Sequence, residues 1–133
     1  MWNGRNGGIM SSNKRKKVGW GLTGILGALF IMSGTMKLIS GPDSEMAKNF
    51  VKWGLEGKLP LIAGGELVAT LLFLIPNTFP LGLLLLSAHM GGAIATHMEH
   101  GESFALQSAF LVLLWITAWL RRPQIFSGTG TAN

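Results

Sequence analysis

The sequence predicts an all-α integral membrane protein, a four-helix bundle with an interfacial amphipathic helix between helices one and two. Composition sets the class: of 133 residues, 48% are hydrophobic and only 13% charged, too apolar for an ordinary soluble domain of this length. Four apolar windows then follow the basic stretch NKRKK at 13–17, and each is long enough to cross a bilayer. Finally, the basic residues gather at one set of helix ends, which is the charge bias of a multi-pass membrane protein.

The first helix is predicted over about 18–39, interrupted only by Lys37. It exceeds the apolar region of a secretory signal peptide, and SGTMKLISGP at its end has no A-x-A-like cleavage site, so it is expected to be retained. Residues 1–17 before it read as a basic cytoplasmic tail, with Trp2 and the tail set against a partner surface or anionic headgroups. In the long connection that follows, Pro42, Asp43 and Ser44 form a helix-start signal and Gly54 a stop, while Met46, Phe50 and Trp53 recur at i, i+4 and i+7. That apolar stripe is expected to lie on the outer membrane surface, either as a lid or as a loop resting on lipid. The remaining helices are predicted over about 59–75, 80–100 and 104–120, with Ser103 as the N-cap of the last, followed by a tail at 126–133. Small residues paired four apart at 24/28, 65/69, 88/92 and 91/95 are expected to bring the helices together inside the bundle.

Charge fixes the expected orientation. Arg5, Lys14, Arg15, Lys16 and Lys17 precede the first helix and Arg121 and Arg122 follow the fourth, whereas the opposite loops dilute Lys48, Lys52 and Lys58 with acids or carry Glu99 and Glu102 alone. Both termini are therefore expected in the cytoplasm, with the chain multi-pass in the inner membrane. The net charge of +5 does not point to nucleic acid, because five of the eleven basic residues lie before position 18 and no basic patch is interleaved with aromatics. With no cysteine in the chain, disulfides, thiolate metal sites and cysteine nucleophiles are excluded.

Glu66, in the middle of LPLIAGGELVATLLFLIP, is the sharpest anomaly. Seven residues into its helix it lies roughly 10 Å deep at 1.5 Å per residue, where an unpaired charge costs about 3 kcal/mol. Ala63, Ala69 and Thr70 share its face, a small and weakly polar surface that points into a bundle. Lys37 is the expected partner, as a direct salt bridge or through water, with Ser33 one turn below. His89, His97, His100 and Gln107 fall in the same outer half, with Gly92, Ala93 and Thr96 completing a stripe along the third helix.

The segments SGTMKLISGP, GGELVATLLFLIP and GGAIATHMEHGES, in that order, resemble the lysine, glutamate and histidine segments of DoxX-like membrane proteins over roughly 18–125. The resemblance implies a small four-helix membrane domain with Lys37, Glu66 and His97 in its polar core. It also implies association with membrane redox assemblies such as terminal quinol oxidase or thiosulfate:quinone oxidoreductase systems. The expected function is an accessory or stabilising subunit of such a complex, in contact with membrane lipids, including bound lipid, and other subunits, and not an enzyme on its own. The alternative is a quinone-binding component with its site near Glu66 and His97, since those groups with His89 and Gln107 supply hydrogen bonds and proton exchange beside an apolar slot. A haem held by two histidines would need a second chain, because all three histidines lie on or just after one helix. No metal is expected: Glu66, His89 and His97 are suitable ligand types without a chelating spacing. A small-solute transporter is a weaker alternative, for there is neither an inverted repeat nor a broken helix.

Overall fold

The computed structural model describes residues 11–127, which form five α-helices and no strand among them. The helices are α1 (Ser12–Ile39), α2 (Glu45–Lys52), α3 (Leu59–Leu74), α4 (Phe79–Glu99) and α5 (Ala105–Arg121), followed by a single 3₁₀ turn at Pro123–Ile125. Trp2 and the first ten residues, with residues 128–133 of the expected tail, lie outside the described residues.

The predicted boundaries hold closely for α3 and α4 and fail most at α1. That helix starts at Ser12, six residues before the apolar window, because Ser11 Oγ accepts the Lys14 N–H at 3.2 Å and lysine and arginine are good helix formers. A hydropathy window ends where charge begins, but a helix does not. Ser44 caps α2 by accepting the Ala47 N–H at 3.1 Å, and Gly54 stops it at φ +76°, the left-handed conformation that glycine adopts freely. Ser103 is not the N-cap of α5, which is Phe104 without a side-chain cap, but its Oγ accepts the Ala105 N–H at 3.4 Å.

Packing follows from which faces are small or apolar. α1 lies against α3 and α5, and α4 against the same two, so the four longer helices close a ring. Leu26, Phe30, Phe73, Phe79, Leu86 and Leu114 are among its buried centre, and the Phe73 and Phe79 rings sit 5.2 Å apart. Every one of these helices is also apolar on its outward side, as at Ile25, Leu61, Leu84 and Val112. α1 and α4 are long and apolar enough to cross a membrane, and α3 and α5 are shorter apolar helices.

Hydroxyls within this apolar frame are satisfied locally. Thr23, Thr70 and Thr117 donate to the carbonyls of Gly19, Glu66 and Leu113 at 2.7–2.8 Å, and Ser87 accepts the Trp115 indole N–H at 3.0 Å. The carbonyls at the end of α3 are satisfied from outside: Thr78 Oγ1 donates to Leu72 O at 2.8 Å, Arg121 donates to Phe73 O at 3.2 Å and Arg122 donates to Pro76 O. Two cations at a helix C-terminus also oppose its negative dipole end.

The small-residue pairs are in part a correction: Ala69 is buried in the core as expected, and the other members are exposed. Gly24, Ala28, Ala88, Gly91 and Ala95 face outward, and a Cβ at Gly24, Gly65, Gly91 or Gly92 would meet nothing within 4 Å. Spacing of four identifies a stripe but not the direction it faces; in α1 the buried stripe is Gly19, Thr23, Leu26, Phe30 and Gly34. The closest backbone approach is at Gly82, where a Cβ would collide with the backbone N and Cα of Phe73. Gly82→Ala is therefore expected to destabilise the protein by about 1–3 kcal/mol in a detergent unfolding series. Gly91→Ala should stay within about 0.5 kcal/mol of the parent; equal effects would show that the helices do not cross where described.

Candidate functional site

Glu66 is 1% exposed on the buried face of α3, with Ala63, Ala69 and Thr70 beside it. Lys37, in the last turn of α1, places Nζ 2.5 Å from Glu66 Oε2 and 3.0 Å from Ser33 Oγ. Helical side chains lean toward their own N-terminus, so a lysine on one helix and a glutamate on an antiparallel neighbour meet at an intermediate level. His89 on α4 brings Nε2 to 3.6 Å from the same carboxylate oxygen, beyond hydrogen-bond reach but close enough to become an ion pair if the ring is protonated.

A second polar group sits eight residues further along α4, roughly 12 Å at 1.5 Å per residue. His97 Nε2 lies 3.1 Å from the Gln107 amide nitrogen on α5. With the amide donating, Nε2 must be unprotonated, which puts the neutral imidazole's proton on Nδ1. That nitrogen is 3.0 Å from Glu102 Oε2 yet has no aligned hydrogen-bond partner, so the contact is electrostatic rather than a hydrogen bond. Gln107 Oε1 is likewise buried without a partner.

Glu102 joins this group to α2. Its Oε1 accepts from Lys52 Nζ at 2.6 Å and from the Trp53 indole N–H at 3.1 Å, and the Trp53 ring meets His97 edge-on at 5.0 Å. Gly101 makes the turn at φ +67°, and the Glu102 N–H is anchored on His97 O at 2.8 Å. Lys52 and Trp53 hold the Glu102 carboxyl down to about 2. The result is a strap that fastens α2 across the α4–α5 turn.

Between the two groups lies a cavity of about 650 Å³. Lys37, Glu66, His89, His97 and Gln107 all line it, so the five predicted site residues share one space. Met46, Phe50 and Trp53 line it too: of the two arrangements expected for this stripe, a lid or a loop resting on lipid, it takes the lid, facing inward to roof the cavity with Phe50 buried. An amphipathic helix buries its apolar face against whichever apolar surface is nearest, here protein. One side remains open. Phe30 and Phe110 touch at 5.5 Å, and at the margin on the same two helices Leu29 and Leu106 both line the cavity and are 37% and 65% exposed. His100 is not part of the lining; its Nδ1 lies 2.8 Å from Thr96 O of its own helix. Among the described residues no three histidine or acidic side chains are arranged to hold a metal ion.

Sequence reasoning singled out Trp53 and His97 but missed Glu102 and Lys52, which join them. The signal was present: Lys52 and Trp53 end a short amphipathic helix, and Glu99 and Glu102 mark an acidic turn. Nothing in the spacing showed that the helix folds over that turn.

Such a chain is a small apolar protein, helical throughout its longer described elements, with a largely apolar cavity at one end that carries a cluster of polar side chains. It belongs to the DoxX-like family, whose family model matches residues 21–119. No curated protein and no solved structure matches the chain.

Two outcomes follow from this geometry. Lys37→Met alone should cost about 3–5 kcal/mol because it leaves a buried carboxylate without its partner. Combined with Glu66→Leu the loss should fall by more than about 1 kcal/mol below the sum of the single changes, measured as a double-mutant cycle; strict additivity would sink the pairing. For Glu102, whose carboxyl is depressed from 4.5 to about 2, the strap's stabilisation is fully present above pH 4.5 and is lost as pH falls toward 2. Trp53 fluorescence should report that opening in the parent and show no such transition in Glu102→Gln.

Proposed function

We propose that this chain is a four-crossing membrane protein that holds a quinone in its lid-covered cavity as one component of a membrane redox complex. Family membership, two candidate spans and apolar outer flanks on all four longer helices support residence in a bilayer. The basic ends of α1 and α5 favour the cytoplasmic side for both termini, which puts the cavity in the outer half.

The observation that carries the binding reading is the convergence of Lys37, Glu66, His89, His97 and Gln107 on one apolar cavity of ligand size. A quinone headgroup requires hydrogen-bond partners and, on reduction, a source of protons; the carboxylate and imidazoles supply both. An apolar tail has an exit beside Leu29 and Leu106. Met46, Phe50 and Trp53 cover the headgroup region and limit water.

A second reading, that of a stabilising subunit without its own ligand, draws on Lys37 and Glu66 joining α1 to α3 and on Glu102 joining α2 to the α4–α5 turn. Purification in mild detergent, followed by organic extraction, separates the two. The binding reading expects quinone to co-purify with the parent and to be lost at least about tenfold from Glu66→Gln at unchanged helicity and assembly. If the parent carries no quinone, while Glu66→Gln impairs assembly, the stabilising role stands and the binding reading falls.

A further inference from the structure

Opposite the cavity, where α1 begins and α5 ends, Arg121 is 6% exposed without any acidic side chain to pair with. All six acidic residues lie between Asp43 and Glu102, toward the lid end of the molecule. Nζ-type freedom is not available to this group: its guanidinium carbon lies 4.0 Å from the Trp20 ring centroid and 3.9 Å from that of Phe79, so aromatic faces fix the plane. Among the described residues one of its nitrogens is used, Nη1 donating to Thr23 Oγ1 at 3.3 Å and to Phe73 O at 3.2 Å. Nε and the second amino group, the edge that matches a carboxylate or phosphate in a two-pronged bond, have no acceptor among the described residues. Neither atom is among the fully buried unpaired ones, so that edge keeps contact with the surroundings.

Two further arginines converge there. Arg122 lies 5.6 Å from the same Phe79 ring, where it donates to Pro76 O. Arg15 stands one turn before Gly19, the position whose Cβ would come within 2.9 Å of Arg121 Cγ, and its Nε is buried with no partner among the described residues. Trp20, Trp119, Ile125 and Phe126 are exposed around this end, the amphipathic belt of a headgroup region.

We infer that Arg121, Arg122 and Arg15 form a binding site for an anionic phosphate group, occupied by the headgroup of an acidic phospholipid of the cytoplasmic leaflet. The lipid source rests on the bilayer reading above; the anion site does not. A phosphodiester between the arginines supplies the acceptors that the clamped guanidinium lacks, and its acyl chains lie along the exposed apolar flanks of α1 and α5. The quinone cavity is at the far end and takes no part.

The test uses the full chain, delipidated in detergent and offered equal phosphatidylglycerol and phosphatidylcholine, with retained lipid read by native mass spectrometry. The parent should keep phosphatidylglycerol preferentially, and Arg122→Gln and Arg15→Gln should each lower that preference by about fivefold. Arg121→Lys keeps the charge but not the fork, and should lower it as well; if that variant does not fold, the other two decide. No preference in the parent, or an unchanged preference in both glutamine variants, would overturn the site. Inorganic phosphate at matched concentration is the second arm: protection against thermal unfolding equal to that from phosphatidylglycerol would overturn the lipid as occupant. Quinone content is measured alongside and should not change.

Discussion

A carboxylate buried in an apolar helical frame has to be paired, and the arrangement of this protein turns on how Glu66 is paired. One oxygen receives Lys37 from α1 and faces His89 from α4, so three helices are fixed relative to one atom. Lys37, Glu66 and His89 line the cavity with the small side chains of Ser33 and Ala93 beside them. Around Phe73, Phe79 and Leu86 the same helices bury their side chains completely.

Much of this was legible in the sequence because it depends on quantities that composition and spacing report directly. Apolar windows located α3, α4 and α5, and Ser44 with Gly54 bounded α2 through the ordinary chemistry of helix caps. The partnership of Lys37 with Glu66 followed from depth and from the lean of helical side chains. What escaped depends on rotation about helix axes and on contacts between distant segments. Gly24 and Gly91 face outward while Gly19, Gly34 and Gly82 take the close contacts, a difference that small-residue spacing alone does not encode. Likewise, an amphipathic stripe at Met46, Phe50 and Trp53 says that α2 has a buried side; it took Lys52, Trp53 and Glu102 meeting to show which surface it covers.

The two ends of the molecule solve the burial of charge differently. At the lid end opposite charges meet: Lys37 with Glu66, and Lys52 with Glu102. At the basic end Arg121 is held by aromatic faces, a hydroxyl and a carbonyl, none of which carries a full negative charge. The first arrangement is electrically closed and the second is left with an excess. That asymmetry is written in the chain order, since every acid lies between Asp43 and Glu102 while α1 opens and α5 closes on basic residues.

The open margin at Leu29 and Leu106 changes what governs occupancy of the cavity. Under the proposed bilayer setting, a ligand arrives from the hydrocarbon phase and not from water, so the relevant variable is its mole fraction among lipids. A hydrophobic molecule that partitions strongly can fill the cavity at vanishing aqueous concentration, and ordinary acyl chains become its competitors. Selectivity then has to come from the polar lining, because the apolar walls offer the same welcome to any chain that reaches them.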